Sequence, residues 1–583
     1  MKTTYTIMNT LFQKSPLCLA TVLLGCSVQA LAAPDAGGLL REEIRREEAS
    51  SLKPKSVAPV QAADAPKPLK TTGPKVNVTG YRIVGLSDVS ENDAQDFLQD
   101  YNNQTISLDG LHDVAERFEV WLRTKGLFTA RAYIPPQDIR GGEVEMRVLV
   151  GKIEGVDVKL TAGSRVSEAT ISNLMSTALP SGSAMVQAQL ERGILLANDL
   201  PATSARVVLV PGNELGGSRV LVEAAQGALV SGNVDLDNTG SRYTGEWRLG
   251  TSVAINDPMG RGDQFTARLA ASEGSVLARV GYLVPIGADG WKVGANYIDS
   301  RYKLCCAEEV AVLQSEGGAT AASGFVTYPV IRSRLNNLSV TGSISQRKLT
   351  NRAAGTVTSD KKSQGITLGL SGDRSNMLGW SGLGGFTIYG VQLTAGNINL
   401  DAVANEQTQD EAGAQTQGNF AKVYFQASHL MRLTKQSALY AATSAQYAGK
   451  NLDSSEKFVL GGAQGVRAYP SGEGAGDSGW MLNLEYRYEI NNKWSALGFM
   501  DYGSVQQRKK LYDNWNSSNP NVPNNYDLSG VGGSLAWTPA PGRQVMLTLA
   551  TRTGDNPARD ANGNNSDGRS GATRLWLQST FAF

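Results

Sequence analysis

Histidine is nearly missing from this chain, which has only His112 and His429. A serine or thiol nucleophile needs a base within hydrogen-bond reach, so acyl-transfer chemistry has little to work with. Cysteine is scarce too. Cys18 and Cys26 lie in the N-terminal apolar stretch, and the other two, Cys305 and Cys306, are adjacent in a polar loop. A bridge between neighbours is strained at best, and two sulfurs are too few for a structural zinc site. The pair reads as a loop feature of modest consequence, with its oxidation state open. Net charge is also lacking: 55 Lys and Arg against 54 Asp and Glu leave +1, which gives no reason to expect a nucleic-acid partner. No nucleotide motif occurs either, and no cofactor is implied. Beyond Val28 there is no run of 18 apolar residues, which excludes a membrane-spanning helix. If the chain enters a bilayer, it must do so as strands.

The 64 glycines and 583 residues leave ample material for several domains. Lys2 and Lys14 precede an apolar stretch over 17–28, and Ala30-Leu31-Ala32 supplies the small-x-small pattern of a cleavage site. Residues 1–32 therefore read as an export signal, cut after Ala32. Leu24-Gly25-Cys26 fits a lipoprotein site poorly. Residues 39–51, within a segment 33–52, are strong helix formers with both charge signs at three- and four-residue spacing and no broad apolar face. Pro54, Pro59, Pro66, Pro68 and Pro74 make 53–75 a Pro-rich tether.

Two small α+β modules follow, over 76–151 and 152–226. In the first, a strand over 76–84, helices over 91–101 and 108–124, and strands over 129–134 and 144–150 are expected. Leu111, Ala115, Phe118 and Leu122 recur at helical spacing and can cover a three-stranded sheet. The second repeats the order, with strands over 153–160, 205–210 and 218–224 and helices over 167–177 and 188–198.

From 227 to 583 the texture changes to segments of about ten residues that alternate apolar with polar or small residues, the signature of a transmembrane β-barrel. Trp480, Leu482, Leu484, Tyr486, Tyr488 and Ile490 fall on one face of such a segment, opposite Asn483, Glu485, Arg487 and Glu489. Counting segments gives 16 antiparallel strands. Short connections such as Pro541-Gly542-Arg543 alternate with long polar ones over 401–417, 510–527 and 559–573. With the modules in the periplasm, the long loops fall outside the cell.

The most informative stretch is 458–479. It holds Gly465-Val466-Arg467-Ala468-Tyr469-Pro470 and then Gly476-Asp477-Ser478-Gly479. Downstream, Phe499-Met500-Asp501-Tyr502-Gly503 lies in the thirteenth strand; with Trp494, Ala496, Met500 and Tyr502 toward lipid, Asp501 must point into the lumen. Gly476-Asp477-Ser478-Gly479 matches by letters the surroundings of a serine-protease nucleophile, but neither histidine has an evident route to Ser478. Gly474-x-Gly476-x-x-Gly479 matches a dinucleotide fingerprint by letters and lacks the βαβ context. His429 reads as an interfacial strand residue and His112 as a surface helix residue. The chain ends Thr580-Phe581-Ala582-Phe583, an alternating strand with a terminal aromatic.

On these motifs the chain resembles the TpsB transporters, the haemolysin-activation and filamentous-adhesin secretion branch of the BamA superfamily. The resemblance is carried further by Ala132-Tyr133-Ile134-Pro135-Pro136-Gln137-Asp138, Leu190-Glu191-Arg192, Asn198-Asp199-Leu200-Pro201 and Pro211-Gly212 in the modules. In the barrel it is carried by Asp237-Asn238-Thr239-Gly240, Gly260-Arg261-Gly262-Asp263 and Tyr328-Pro329-Val330-Ile331-Arg332. It implies that the modules are POTRA domains, that the polar helix plugs the pore, and that 458–479 folds back into the lumen. It also implies a contact from Arg467 to Asp501, with Phe499 and Gly503 in the partner motif, and a C-terminal Phe583 read by the barrel-assembly machinery. The family tip usually has Gly where Ala468 stands, and Ala resists positive φ, so a slightly altered tip backbone is expected.

The implied function is an outer-membrane transporter, with its POTRA domains in the periplasm, that secretes one partner exoprotein bound in unfolded form. Outer-membrane lipid is the other partner, and no enzymatic role is implied. A BamA-like assembly factor is the alternative reading; two modules and a plug helix favour secretion. A small-solute pore and an outer-membrane hydrolase are the remaining alternatives.

Overall fold

The computed structural model describes residues 34–51, 69–214, 216–375, 383–517 and 520–583. The export signal expected over 1–32 and most of the tether over 53–75 lie outside the described residues.

The two modules share one topology. In each, the first strand of a three-stranded sheet runs parallel to the last, and the penultimate strand adds antiparallel on the other side. Gly80–Val84 pairs parallel with Glu143–Leu149, which takes Arg131–Tyr133 on its far edge. Lys152–Leu160, Gly217–Gln226 and Thr203–Pro211 repeat this order. In the first module Ser107 caps the helix Leu108–Thr124 by accepting from Gly110 N. Leu111, Ala115, Phe118 and Leu122 are buried against the sheet, as their spacing requires. In the second, Ser167 caps Glu168–Ala178, and Ile171, Met175 and Leu196 close a separate core over Val220 and Val222. Each module therefore carries its own hydrophobic cluster.

Local readings shift in three places. The strand expected over 76–84 is two: Lys75–Val78 pairs with Gln104–Ser107, and Gly80–Val84 joins the main sheet. Thr79 breaks them, with its N–H donating to Gly142 O and its hydroxyl to Gly141 O. Gln104–Ser107 is too polar and short to be read from pattern. The N-terminal helix starts at Ala36: Gly37, a poor helix former in isolation, packs against Ser454 and Ser455 in the lumen, and Gly38 N donates to Asp35 Oδ1 at 2.7 Å. The loop over 401–417 contains a helix, Ala404–Ala412, which has no buried face and so leaves no periodicity to detect.

Among the described residues, sixteen strands close a barrel from Val230–Asp237 to Thr573–Ala582. The seam between first and last strand pairs only from Gln578 opposite Asp237 to Ala582 opposite Asn233, and Phe583 extends it by exchanging backbone hydrogen bonds with Gly232. Closure joins the first strand to the last across this seam, which is how a sheet can pair its backbone groups in lipid. Outward residues such as Leu249, Trp480, Tyr486 and Met500 are exposed, and inward Phe499, Asp501 and Val505 are buried. Ser315–Arg332, Asn336–Ala353 and Thr356–Ser375 span 18, 18 and 20 residues. At about 3.4 Å per residue they reach well beyond an apolar band of about 25 Å. Among the described residues, no helix is long and apolar enough to cross a membrane.

The helix Ala36–Ser51 lies inside the barrel. Ala36 and Leu40 are buried at its outer end. Further in, the contacts are polar: Arg45 donates to Val459 O at 2.8 Å and Gly461 O at 2.6 Å, and Arg41 donates to Lys457 O at 3.1 Å. Arg46 reaches Thr239 O at 2.7 Å, and Glu43 pairs with Arg248.

Candidate functional site in the barrel lumen

The loop over 449–477 leaves the outer end of Ser437–Ala448 and turns back into the lumen. A two-residue ladder, Phe458–Val459 with Ala475–Gly476, forms its neck. Its tip is folded by its own backbone, with Val466 N donating to Leu460 O at 2.8 Å and Gly462 N to Tyr469 O at 3.1 Å. Val466, Ala468 and Tyr469 are fully buried with Leu460, Phe499 and Leu528. Gly465 lies on Leu460 O, where a Cβ would come within 1.9 Å.

Arg467 is the polar centre of this apolar patch. Its Nη2 is 2.7 Å from Asp501 Oδ1, and its Nε and backbone N are each 2.9 Å from Oδ2. Nη1 lies 2.8 Å from Glu485 Oε1. The guanidinium centre stands 3.5 Å from the Phe499 ring centroid, a cation–π contact. Asn483 donates to Asp501 Oδ1 at 2.8 Å and Gly465 O at 3.0 Å, and Trp576 Nε1 donates to Arg467 O at 2.8 Å. The tip is thus tied to three strands, the last next to the seam. Arg487 pairs with the free side of Glu485, so two acids face two arginines.

Glycines on the wall make room for the tip. A Cβ on Gly503 would meet Leu460 at 2.6 Å, one on Gly530 would meet Ala468 Cβ at 2.6 Å, and one on Gly532 would meet the Phe499 ring at 2.4 Å. Ala468 is not among the residues with φ in the left-handed region. The expected alteration of the tip backbone therefore has no strain behind it.

All five tip residues, together with Phe499, Asp501 and Gly503, converge here. Phe583 lies apart, on the barrel seam. The sequence reading placed Asn483, Glu485 and Arg487 inward by alternation but could not say which would meet Arg467. It missed Trp576 and Arg45. Ser478 uses its oxygen to accept from Ala448 N at 3.1 Å, and Asp477 takes Lys457, Leu452 N and Lys509 N. His429 shares a hydrogen bond with Thr387 on the barrel wall, and His112 is exposed on its helix.

A second group of contacts joins the second module to the short turns. Arg332 forks Asp199 at 2.7 and 2.8 Å. Arg192 reaches Asp289 at 3.1 Å and Pro329 O at 3.0 Å. Gly262 packs on Leu200. In the turn beside it, burial alone would raise the Asp263 carboxyl, yet hydrogen bonds from the Tyr282 hydroxyl and backbone N–H groups hold it below the usual range.

A sealed barrel with two periplasmic modules on its short turns, and with a helix and a loop packed in its lumen, defines an outer-membrane transporter. The chain belongs to the family "Haemolysin secretion/activation protein ShlB/FhaC/HecB", whose model matches residues 216–519, and a "POTRA domain, ShlB-type" model matches residues 76–151. It is an outer-membrane transporter of the TpsB class, which secretes a partner exoprotein. The heme/hemopexin transporter protein HuxB of Haemophilus influenzae (strain 86-028NP) is 28% identical over 551 residues, 92% of this chain and 94% of that protein. The outer membrane transporter CdiB of Dickeya dadantii is 25% identical over 77% of this chain and 76% of its own length. The solved structure of CdiB from Escherichia coli has a TM-score of 0.73 at 18% identity, covering 94% of this chain and 99% of that one.

Proposed function

We propose that the exoprotein reaches the pore unfolded and is taken up along the open sheet edges of the POTRA modules. Among the described residues, Thr203–Pro211 pairs on one side only, and Val208 and Leu209 on it are exposed. Such an edge can accept an extended segment through main-chain hydrogen bonds. The modules are 76–151 and 152–226, the barrel is 227–583, and the mature chain begins after Ala32. The helix within 33–52 then leaves the lumen, and the exoprotein passes through as an extended chain or hairpin and folds outside. The barrel-assembly machinery reads Phe583 during insertion.

The observation that carries this reading is how the helix is held. Beyond its apolar outer end it is fixed by arginine contacts to loop carbonyls and by ion pairs, which water and a passing polypeptide can replace. The Arg467 network keeps the loop tip on the wall while the helix moves, so the work is positional and no covalent step is needed. The test is a secretion assay with Arg45→Ala, which removes the contacts to Val459 and Gly461. Retained assembly with easier helix release, read as protease access to the helix, supports the reading, and unchanged access opposes it.

A further inference from the structure

The outer end of the luminal helix sits in an apolar pocket. Ala36 and Leu40 are buried with Tyr243 of the first outer loop, with Tyr302 and Leu304, and with Ala307 and Val310 of the loop after Trp291–Lys303. Leu304 and Ala307 flank Cys305 and Cys306 in the chain, and these two cysteines are bonded to each other. The Cys305 sulfur lies on the backbone of the second outer loop, where a Cβ on Gly274 would come within 2.6 Å of it. Cys305 N donates to Tyr243 O at 3.1 Å, Gly274 N to Thr244 O at 2.8 Å and Leu304 N to Ser315 O at 2.9 Å. The bonded pair therefore stands where three outer loops meet, in the wall of the pocket that seats the helix.

We propose that Cys305 and Cys306 form a redox site that controls the seat of the luminal helix. Bonded, the pair fixes the turn that aims Leu304, Ala307 and Val310 at Leu40; reduced, it lets that turn relax and the helix loosen. The inference rests on the reading that the helix shuts the pore. A small dithiol is the reductant. It supplies two electrons and two protons, the S–S bond breaks, each cysteine leaves as a thiol, and the dithiol closes to a cyclic disulfide. The ring joining two neighbouring cysteines holds the peptide between them, and opening it returns backbone and side-chain torsions to the loop. Glu273 lies beside both sulfurs, and its negative charge disfavours a thiolate there, which slows re-formation of the bond.

The full chain in planar bilayers, with dithiothreitol added on the loop side, tests this. Alkylation and mass spectrometry should find neither cysteine labelled before treatment and both labelled after. Reduction should raise the frequency of channel opening by about tenfold, the size of a modest population shift. Cys305→Ser with Cys306→Ser should open as often as the reduced chain and ignore the reductant. Cys305→Ala alone repeats the test if the pair variant lacks heat-modifiable mobility. Full reduction with unchanged opening, a variant as closed as the oxidised chain, or two labelled thiols in untreated protein would overturn the proposal. Deleting residues 36–51 separates the two readings. If deletion opens the channel and reduction does not, the redox site alone fails; if deletion changes nothing, the plug reading fails and takes the redox site with it.

Discussion

Arg467 grips Asp501 with three nitrogens at once, two from its guanidinium and one from its own backbone, so the carboxylate fixes both the side chain and the peptide of the loop tip. Asp501 is fully buried. Removing either partner strands a charge in the wall, at a cost of about 3–5 kcal/mol for a buried pair. Arg467→Ala and Asp501→Asn are each expected to leave an assembled, heat-modifiable barrel that secretes about tenfold less or worse, given a penalty of that size. Arg467→Lys keeps the charge and loses the fork, and should fall in between. Exoprotein in the medium, normalised to assembled barrel, is the readout; secretion at the normal rate from both variants would refute the role.

Gly530 and Ala468 are a matched pair. Gly530→Ala would drive one Cβ into the other, an overpacking of about 1–3 kcal/mol. The variant should show a loosened tip, measured as faster proteolysis within 449–477. Ala468→Gly in the same chain should restore protection.

The fork from Arg332 to Asp199 orients the second module under the barrel. Both side chains are partly exposed, so the pair is worth about 1 kcal/mol at most. Asp199→Ala should leave barrel melting unchanged and widen the distribution of module-to-barrel distances measured between spin labels. Secretion should fall by a few-fold, on the order of what 1 kcal/mol allows. An unchanged distance distribution would mean that the Gly262 and Arg192 contacts suffice.

Phe583 is mostly exposed and contributes two backbone hydrogen bonds to a short seam. Deleting it should lower the amount of assembled barrel in cells while leaving the secretion rate per assembled barrel intact. An effect on rate alone would move its role from assembly to transport.

Much of this architecture can be read from the residues. The period-two alternation of Trp480 to Ile490 fixes which side chains meet lipid, and Leu111, Ala115, Phe118 and Leu122 mark one helix face. The inward aim of Asp501 follows from its strand alone. What pattern cannot supply is contact between residues far apart in sequence. Glu485 and Trp576 reach the tip because strand register around a closed cylinder brings the strands Ser478–Glu489 and Thr573–Ala582 to it. Arg45 meets Val459 because a helix is threaded through the lumen. Gly37 and Gly38 hide the start of that helix, since their low propensity is offset by contacts outside the local pattern: Gly37 packs against Ser454 and Ser455, and Gly38 N donates to Asp35 Oδ1. Nothing local to Cys305 and Cys306 shows that their neighbours Leu304 and Ala307 share a buried cluster with Leu40.

The central claim is that the helix Ala36–Ser51 must leave the lumen for the exoprotein to pass. Ala36 N lies 3.0 Å from Asn351 Oδ1, so Ala36→Cys with Asn351→Cys, in a chain lacking Cys305 and Cys306, can be joined by a short cleavable bis-thiol linker. Secretion should stop in the linked chain and return when the linker is cut. Undiminished secretion from a fully linked population would contradict it.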